Sequence, residues 1–214
     1  MRLLVRPLAL ALLVGTALLG AGAVLHPMLH GDAAAQLQRI ASTTYWRPLH
    51  LAMLAGSALV IVGLWVRGVI HQAHDDVPPL VCALVLLSIG FTLNALNIAY
   101  MAGAGTHMAR RFAAGSAEMA PLFDATHPIG LMFARFGNLL VAIGALLLGW
   151  VERRTSGARW AALLAWAAAL CGFVGVGFFD ESSPAALAAV ATLAGWQLHT
   201  VVRALRQPTR PEAA

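Results

Sequence analysis

Apolar residues along the chain gather in six long blocks, and nearly every charge falls between them. The blocks run at about 7–25, 49–66, 79–102, 127–151, 159–179 and 184–202. Each is close to the roughly 20 residues that a helix needs to cross a bilayer core. Lipid offers the backbone no hydrogen bonds, so apolar runs of this length are expected as helices. The borders carry the matching punctuation. Arg67 ends the second block, and Asp75-Asp76-Val77-Pro78-Pro79 opens the third. Glu152-Arg153-Arg154 ends the fourth, and Asp180-Glu181 ends the fifth. Ser182-Ser183-Pro184 opens the sixth, and Arg203 and Arg206 close it. Proline in the first turn and cations at the last are normal helix limits. The pattern predicts an all-α polytopic membrane protein: one six-helix transmembrane domain over 1–206, then a short disordered tail over 207–214.

The first block permits a second reading. "MRLLVRPLALALLVGTALLGAGA" has a basic start, an apolar stretch and an A-x-A ending at Ala23, the anatomy of a cleavable signal peptide. Its uncharged run continues to Leu25, long enough to span, which favours a retained helix.

Composition agrees with the pattern. Of 214 residues, 60% are hydrophobic and 11% charged, where a soluble domain is about a quarter charged. All 14 basic residues are Arg. They flank apolar runs instead of forming a basic face, which argues for membrane topology and against nucleic acid. With the N-terminus inside, nine Arg fall on inner segments, and Arg39, Arg47, Arg110 and Arg111 fall on outer loops. That asymmetry places both termini in the cytoplasm, in an inner membrane. Cys82 and Cys171 lie inside apolar blocks without metal spacing and read as small packing residues. Ala161, Ala165 and Ala169 recur at spacing four, which lets membrane helices approach closely.

Candidate chemistry concentrates toward the outer side. His26, His30, His50, His107 and His127 lie in or beside the two large outer loops. Neutral imidazole suits transition metals and haem iron. His50, His107 and His127 are therefore candidate metal ligands, with His50 and His127 opening two inward-running helices at matched depth. An interfacial histidine with no ligand fits equally well, and no HExxH, CxxC or CxxCH motif is present. Beneath this rim lies a second polar layer. Asn94, Asn97 and Tyr100 sit in "LNALNIAY", the two amides on one helix face. Arg135 is expected about 12 Å down the fourth segment, with Asn138 nearly a turn further. An intramembrane Arg should face the bundle interior or a wet cavity, or else snorkel to the interface. Asp124 or Thr126 is expected to cap a helix opened by Pro128. Two arrangements fit these residues. One is an outward-opening pocket for a small or anionic ligand, formed by Asn94, Asn97, Tyr100, Asp124, His127, Arg135 and Asn138. The other is a hydrogen-bond lock between the third and fourth helices.

The order of several stretches resembles a family. "LQRIASTTYWRPLHLAMLAGSALVIVGLWVRG", "LVLLSIGFTLNALNIAY", "LFDATHPIGLMFARFGNLLVAIGALLLGWVERR" and "ARWAALLAWAAALCGFVG" resemble a widespread bacterial family of six-helix integral membrane proteins of unknown function. The resemblance covers about residues 36–178. It implies six helices and no established activity, with the family's recurrent His on His127 and its Asn pair on Asn94 and Asn97. Arg135 and His50 depart from that pattern.

The expected function is thus small-ligand binding at an outward-facing polar site in the inner membrane. Two other classes stay open. One is a redox protein holding haem b or a transition metal on outer histidines. The other is a structural or assembly subunit, as a homo-oligomer or in a larger membrane complex, with the lipid bilayer as the constant partner. A hydrolytic enzyme has the least support; Asp124 beside His127 is the one pairing that would orient an acid-base couple.

Overall fold

The computed structural model describes residues 2–71, 77–154, 159–178 and 184–206. The tail at 207–214 and the acidic pairs at 75–76 and 180–181 lie outside the described residues. Among those described, every regular element is helical: α1 (Val5–Leu25), α2 (Ala33–Ser42), α3 (Trp46–Leu64), α4 (Val66–His71), α5 (Val77–Tyr100), α6 (Thr106–Ala113), α7 (Met119–Arg154), α8 (Arg159–Phe178) and α9 (Pro184–Leu205). Six helices are long and apolar enough to cross a membrane. This is a multi-pass membrane protein architecture.

The long helices form a closed ring. α1 packs on α3, α3 on α5, α5 on α7, α7 on α8, α8 on α9, and α9 returns to α1. Small residues make this possible. A side chain on Gly63 would run into the backbone of Leu12, and one on Gly15 would lie 2.7 Å from Val60 N. The α5–α7 seam follows a seven-residue repeat on α7. Gly130 faces Asn97, Gly137 faces Gly90 and Asn94, and Gly144 faces Leu87 and Ala83. Glycine at each crossing lets the two backbones approach more closely than any side chain would permit. On α8, Ala161, Ala165, Ala168 and Ala169 are all buried, as their spacing suggests. Both cysteines are free, and Cys82 is exposed on its span instead of packed.

Two helices are longer than their apolar blocks. The continuous helical rods Pro78–Ala113 and Met119–Arg154 each have 36 residues. That is about 54 Å at 1.5 Å per residue, against a hydrocarbon core of about 30 Å. The third segment does not stop near residue 102. It passes through a wide, π-helical turn at Met101–Gly105 and continues as α6. The fourth starts at Met119 instead of 127, with Pro128 inside it. The reason is a second apolar core at the projecting end. Leu37, Ile40, Trp46, Met101, Met108, Ala109 and Phe123 are buried together there. Their burial outweighs the breaking signals of "MAGAG" and Pro128. Helix α2 completes this cap. Asp32 Oδ1 accepts from Ala35 N at 2.8 Å, and Leu37 and Ile40 point inward. No hydrophobic block announces α2, because only one of its faces is apolar.

Candidate functional site

Two polar clusters are buried at opposite ends of the bundle. At the projecting end, the cap holds three aromatic rings against one another. Trp46 enters from the first turn of α3 and His50 from the next turn, so the two share a helix face. His26 comes from the residue just after α1. The Trp46 and His50 ring centres are 4.4 Å apart, and His26 lies 5.1 Å from each. Trp46 and His50 are almost wholly buried, at 1% and 2% exposure, and His26 is half-buried.

The imidazoles meet through their outer nitrogens: His26 Nε2 and His50 Nε2 are 3.3 Å apart. His50 Nδ1 donates to the Trp46 carbonyl at 2.8 Å. That bond fixes the tautomer, leaving a lone pair on His50 Nε2. Burial, aided by the neighbouring His50, pushes the His26 pKa down to about 4, with the Pro27 backbone opposing. The His26 ring is therefore neutral at ordinary pH. The wide turn contributes as well. A π-type turn displaces carbonyls from the regular ladder, and the Met101 carbonyl accepts from Trp46 Nε1 at 3.4 Å and Thr106 Oγ1 at 2.9 Å. The irregularity in α5 thus holds the indole that walls the two histidines.

The expected site residues are distributed differently. His50 pairs with His26, not with His127. His127 lies two turns inside α7, stacked on Phe123 at 4.6 Å and parallel to Tyr100 at 6.3 Å. His107 is exposed on α6. His50, His107 and His127 therefore do not form one ligand set. Among the described residues no group of three or more His, Cys, Asp or Glu is placed to hold a metal ion. Asp124 is exposed, and Thr126 does not cap a helix: its hydroxyl bonds the Leu122 carbonyl and Tyr100 Oη, each at 2.8 Å.

The polar layer beneath is a lock between helices. Asn94 Nδ2 donates to Asn138 Oδ1 at 3.1 Å and to the Gly90 carbonyl at 3.2 Å. Asn97 Oδ1 is buried against Gly130 without a hydrogen-bond partner. Arg135 is not among these amides. It is exposed on the outside of α7 and makes no hydrogen bond to Asn94 or Asn97. The longer α7 explains this. Counting about 20 residues back from Val151 for the bilayer core puts Arg135 roughly one turn inside the boundary, within snorkelling reach. The interior position expected for it is occupied by Gly137 and Asn138.

At the opposite end, Glu152 and Arg67 form a two-pronged pair. Arg67 Nε lies 2.6 Å from Oε1 and Nη2 2.8 Å from Oε2, with side chains 3% and 1% exposed. Arg203 approaches Oε2 at 3.7 Å from α9. The cluster ties α4, α7 and α9 together. The sequence pattern reads Arg67 and Glu152 only as charges that end the second and fourth blocks. The signal available was an acid among three Arg-bearing helix ends. Nearer the middle, Thr16 Oγ1 lies 2.8 Å from Gln197 Oε1 and 2.7 Å from Leu12 O, its one hydroxyl proton serving these two acceptors, and so joins α1 to α9.

An apolar groove of about 590 Å³ lies between α5, α7 and α8, lined by Pro79, Leu146, Leu147, Trp150 and Trp166. It opens to the lipid-facing surface and holds no titratable group, so it has the character of a lipid contact. No protein-family model, curated protein or solved structure matches the chain, and its chemistry rests on these residues.

Proposed function

We propose that the chain is a multi-pass protein of a bacterial inner membrane, with both termini cytoplasmic, that binds a small ligand at its outer end. The binding element is the His26–Trp46–His50 cluster. Orientation rests on the Arg distribution. Arg39, Arg47, Arg110 and Arg111 at the cap are exposed, and none forms a hydrogen bond or ion pair in the cluster. One observation carries the site: two imidazoles face each other through Nε2 at 3.3 Å, shielded by an indole. Buried polar atoms are retained where they have partners, and here the two ring nitrogens are each other's partner.

The same geometry selects among ligand classes. An anionic ligand needs a cation at the site, and Arg135 is on the lipid side of α7. A haem held between the two rings needs about 4 Å between ligating nitrogens, at about 2 Å per bond on opposite sides of the metal. The observed 3.3 Å is too short for that. The cluster therefore favours a ligand that takes imidazole nitrogens from one side. The experiment is thermal stability of detergent-purified protein with transition-metal ions, haem and small carboxylates, for wild type and His50→Phe. Preferential binding to the folded state raises stability. The expected result is a shift with one ligand class in wild type and none in His50→Phe. Equal responses of the two proteins to the whole panel would overturn the reading.

A further inference from the structure

The ligand follows from the spacing of the two ring nitrogens, given the reading of this cluster as a binding site. His26 Nε2 and His50 Nε2 are 3.3 Å apart, within hydrogen-bond distance, with ring planes at 67°. One ion at about 2.0–2.1 Å from each nitrogen, the length of a metal–imidazole bond, would meet them at an angle of about 105–110°. The spacing therefore suits two donors on one side of a shared ion.

We propose that His26 Nε2 and His50 Nε2 together hold one copper(I) ion, with the Met53 thioether as the third donor. Three further observations support this. First, His50 is oriented as metal-ligating histidines are, with its other ring nitrogen donating to a backbone carbonyl, here Trp46 O. Second, Met53 lies one turn after His50 on α3, and its side chain crosses α1 at Gly22, one turn before His26. A side chain on Gly22 would collide with it. The thioether thus occupies the same α1–α3 seam, one turn below the two rings. Third, among the described residues no carboxylate or thiolate completes a larger set here. Zinc takes four ligands, commonly thiolate or imidazole, whereas soft thioether and imidazole donors in low number suit copper(I). An uncharged donor set leaves the site with a single positive charge, which is the least costly choice in a dry, indole-walled cluster. Binding is simple coordination: the ion enters between the rings, and a proton on His26 Nε2 passes through solvent to Nδ1, so the ring stays neutral.

The test uses the full chain in detergent. Copper(I) kept reduced with ascorbate is titrated against bicinchoninate as a competing chelator, for wild type, His26→Phe, His50→Phe and Met53→Leu. Circular dichroism and gel filtration confirm that each variant folds; Met53→Leu conserves volume, and His26 sits at a half-buried helix end. Wild type is expected to retain one equivalent per chain. Each histidine variant should lose more affinity than the roughly 10–100-fold that loss of an outer-shell partner costs. Met53→Leu should weaken copper(I) about tenfold or more, as loss of a soft donor predicts. If folded wild type retains no more copper(I) than the His26→Phe protein, the copper site is overturned. A histidine-dependent site indifferent to Met53→Leu removes Met53 alone. If another ligand stabilises wild type in a His50-dependent manner while copper(I) does not bind, the copper assignment falls and the binding-site reading stands.

Discussion

Replacing Arg67 by Met isolates the buried carboxylate of Glu152. In the native protein that carboxylate accepts two charge-assisted hydrogen bonds from Arg67, at 2.6 and 2.8 Å, and is 1% exposed. Arg203 is 3.7 Å from Oε2, beyond hydrogen-bond distance, on a side chain 37% exposed. It can replace part of what Arg67 supplies. Removing one partner of a buried pair typically costs about 3–5 kcal/mol, because the remaining charge has lost its compensation. Some recovery through Arg203 sets the expected loss toward the lower figure, about 3 kcal/mol. The double variant Arg67→Met with Glu152→Leu removes both charges and keeps the volumes similar. Such replacements are often neutral, or stabilising by about 1–4 kcal/mol. Equilibrium unfolding in mixed detergent micelles of the wild type, both singles and the double gives the coupling directly. The expected pattern is unstable singles and a double near or above wild type. A double variant as unstable as Arg67→Met would refute the reasoning. It would mean that the pair holds α4, α7 and α9 through more than mutual compensation of charge.

Other expectations follow from the same structure. Gly137→Ala should cost about 1–3 kcal/mol by overpacking, since its new carbon would lie 2.7 Å from the Gly90 carbonyl on the facing backbone. Gly130→Ala should cost less, because the nearest atom there is the Asn97 side-chain oxygen, which can swing away; equal costs would contradict this account of the seam. Arg135→Gln should change stability within about 0.5 kcal/mol, as for an exposed site, and a large loss in the same unfolding assay would restore an interior role. Chelator-treated protein should lose stability as pH falls from 6.5 toward about 4, measured by thermal melting across that range. The His26 pKa is depressed in the folded state, so the unfolded chain takes up the proton first. A melting temperature that stays flat there, or changes equally in His26→Phe, would contradict the burial of a neutral ring.

The six helices long and apolar enough to cross a membrane are legible in the chain because lipid imposes a single rule, apolar length, that sequence displays directly. The cap is harder to read, since it is held by packing between distant segments. Nothing local in "MAGAG" says that α5 continues through it; Met101 and Met108 must first meet Phe123 and Leu37. Pro128 reads as a helix start, yet Phe123 anchors the turns before it. The same error in the start of α7 displaced Arg135 in the expected geometry. Depth counted from residue 127 made it an interior residue, whereas depth counted from Val151 makes it a boundary one. Asn94 and Asn138 were visible as polar residues at one level, and their bond belongs to the helix lock anticipated as one of two arrangements. His50 stood out in the sequence through its place at a helix opening. Its partner His26 was visible as one of the outer histidines, but nothing local pairs it with His50, because only the α1–α3 packing brings the two together.

X-ray absorption at the copper edge, on protein loaded with one equivalent of copper(I), examines the donor set itself. Two imidazole nitrogens near 2.0 Å and one sulfur near 2.3 Å are expected, by analogy with metal–imidazole and metal–sulfur bonds of about those lengths. Loss of the imidazole scattering in His50→Phe would accompany that result. A spectrum without paired imidazoles, or one unchanged in His50→Phe, would contradict the assignment of His26 and His50 as a shared metal site.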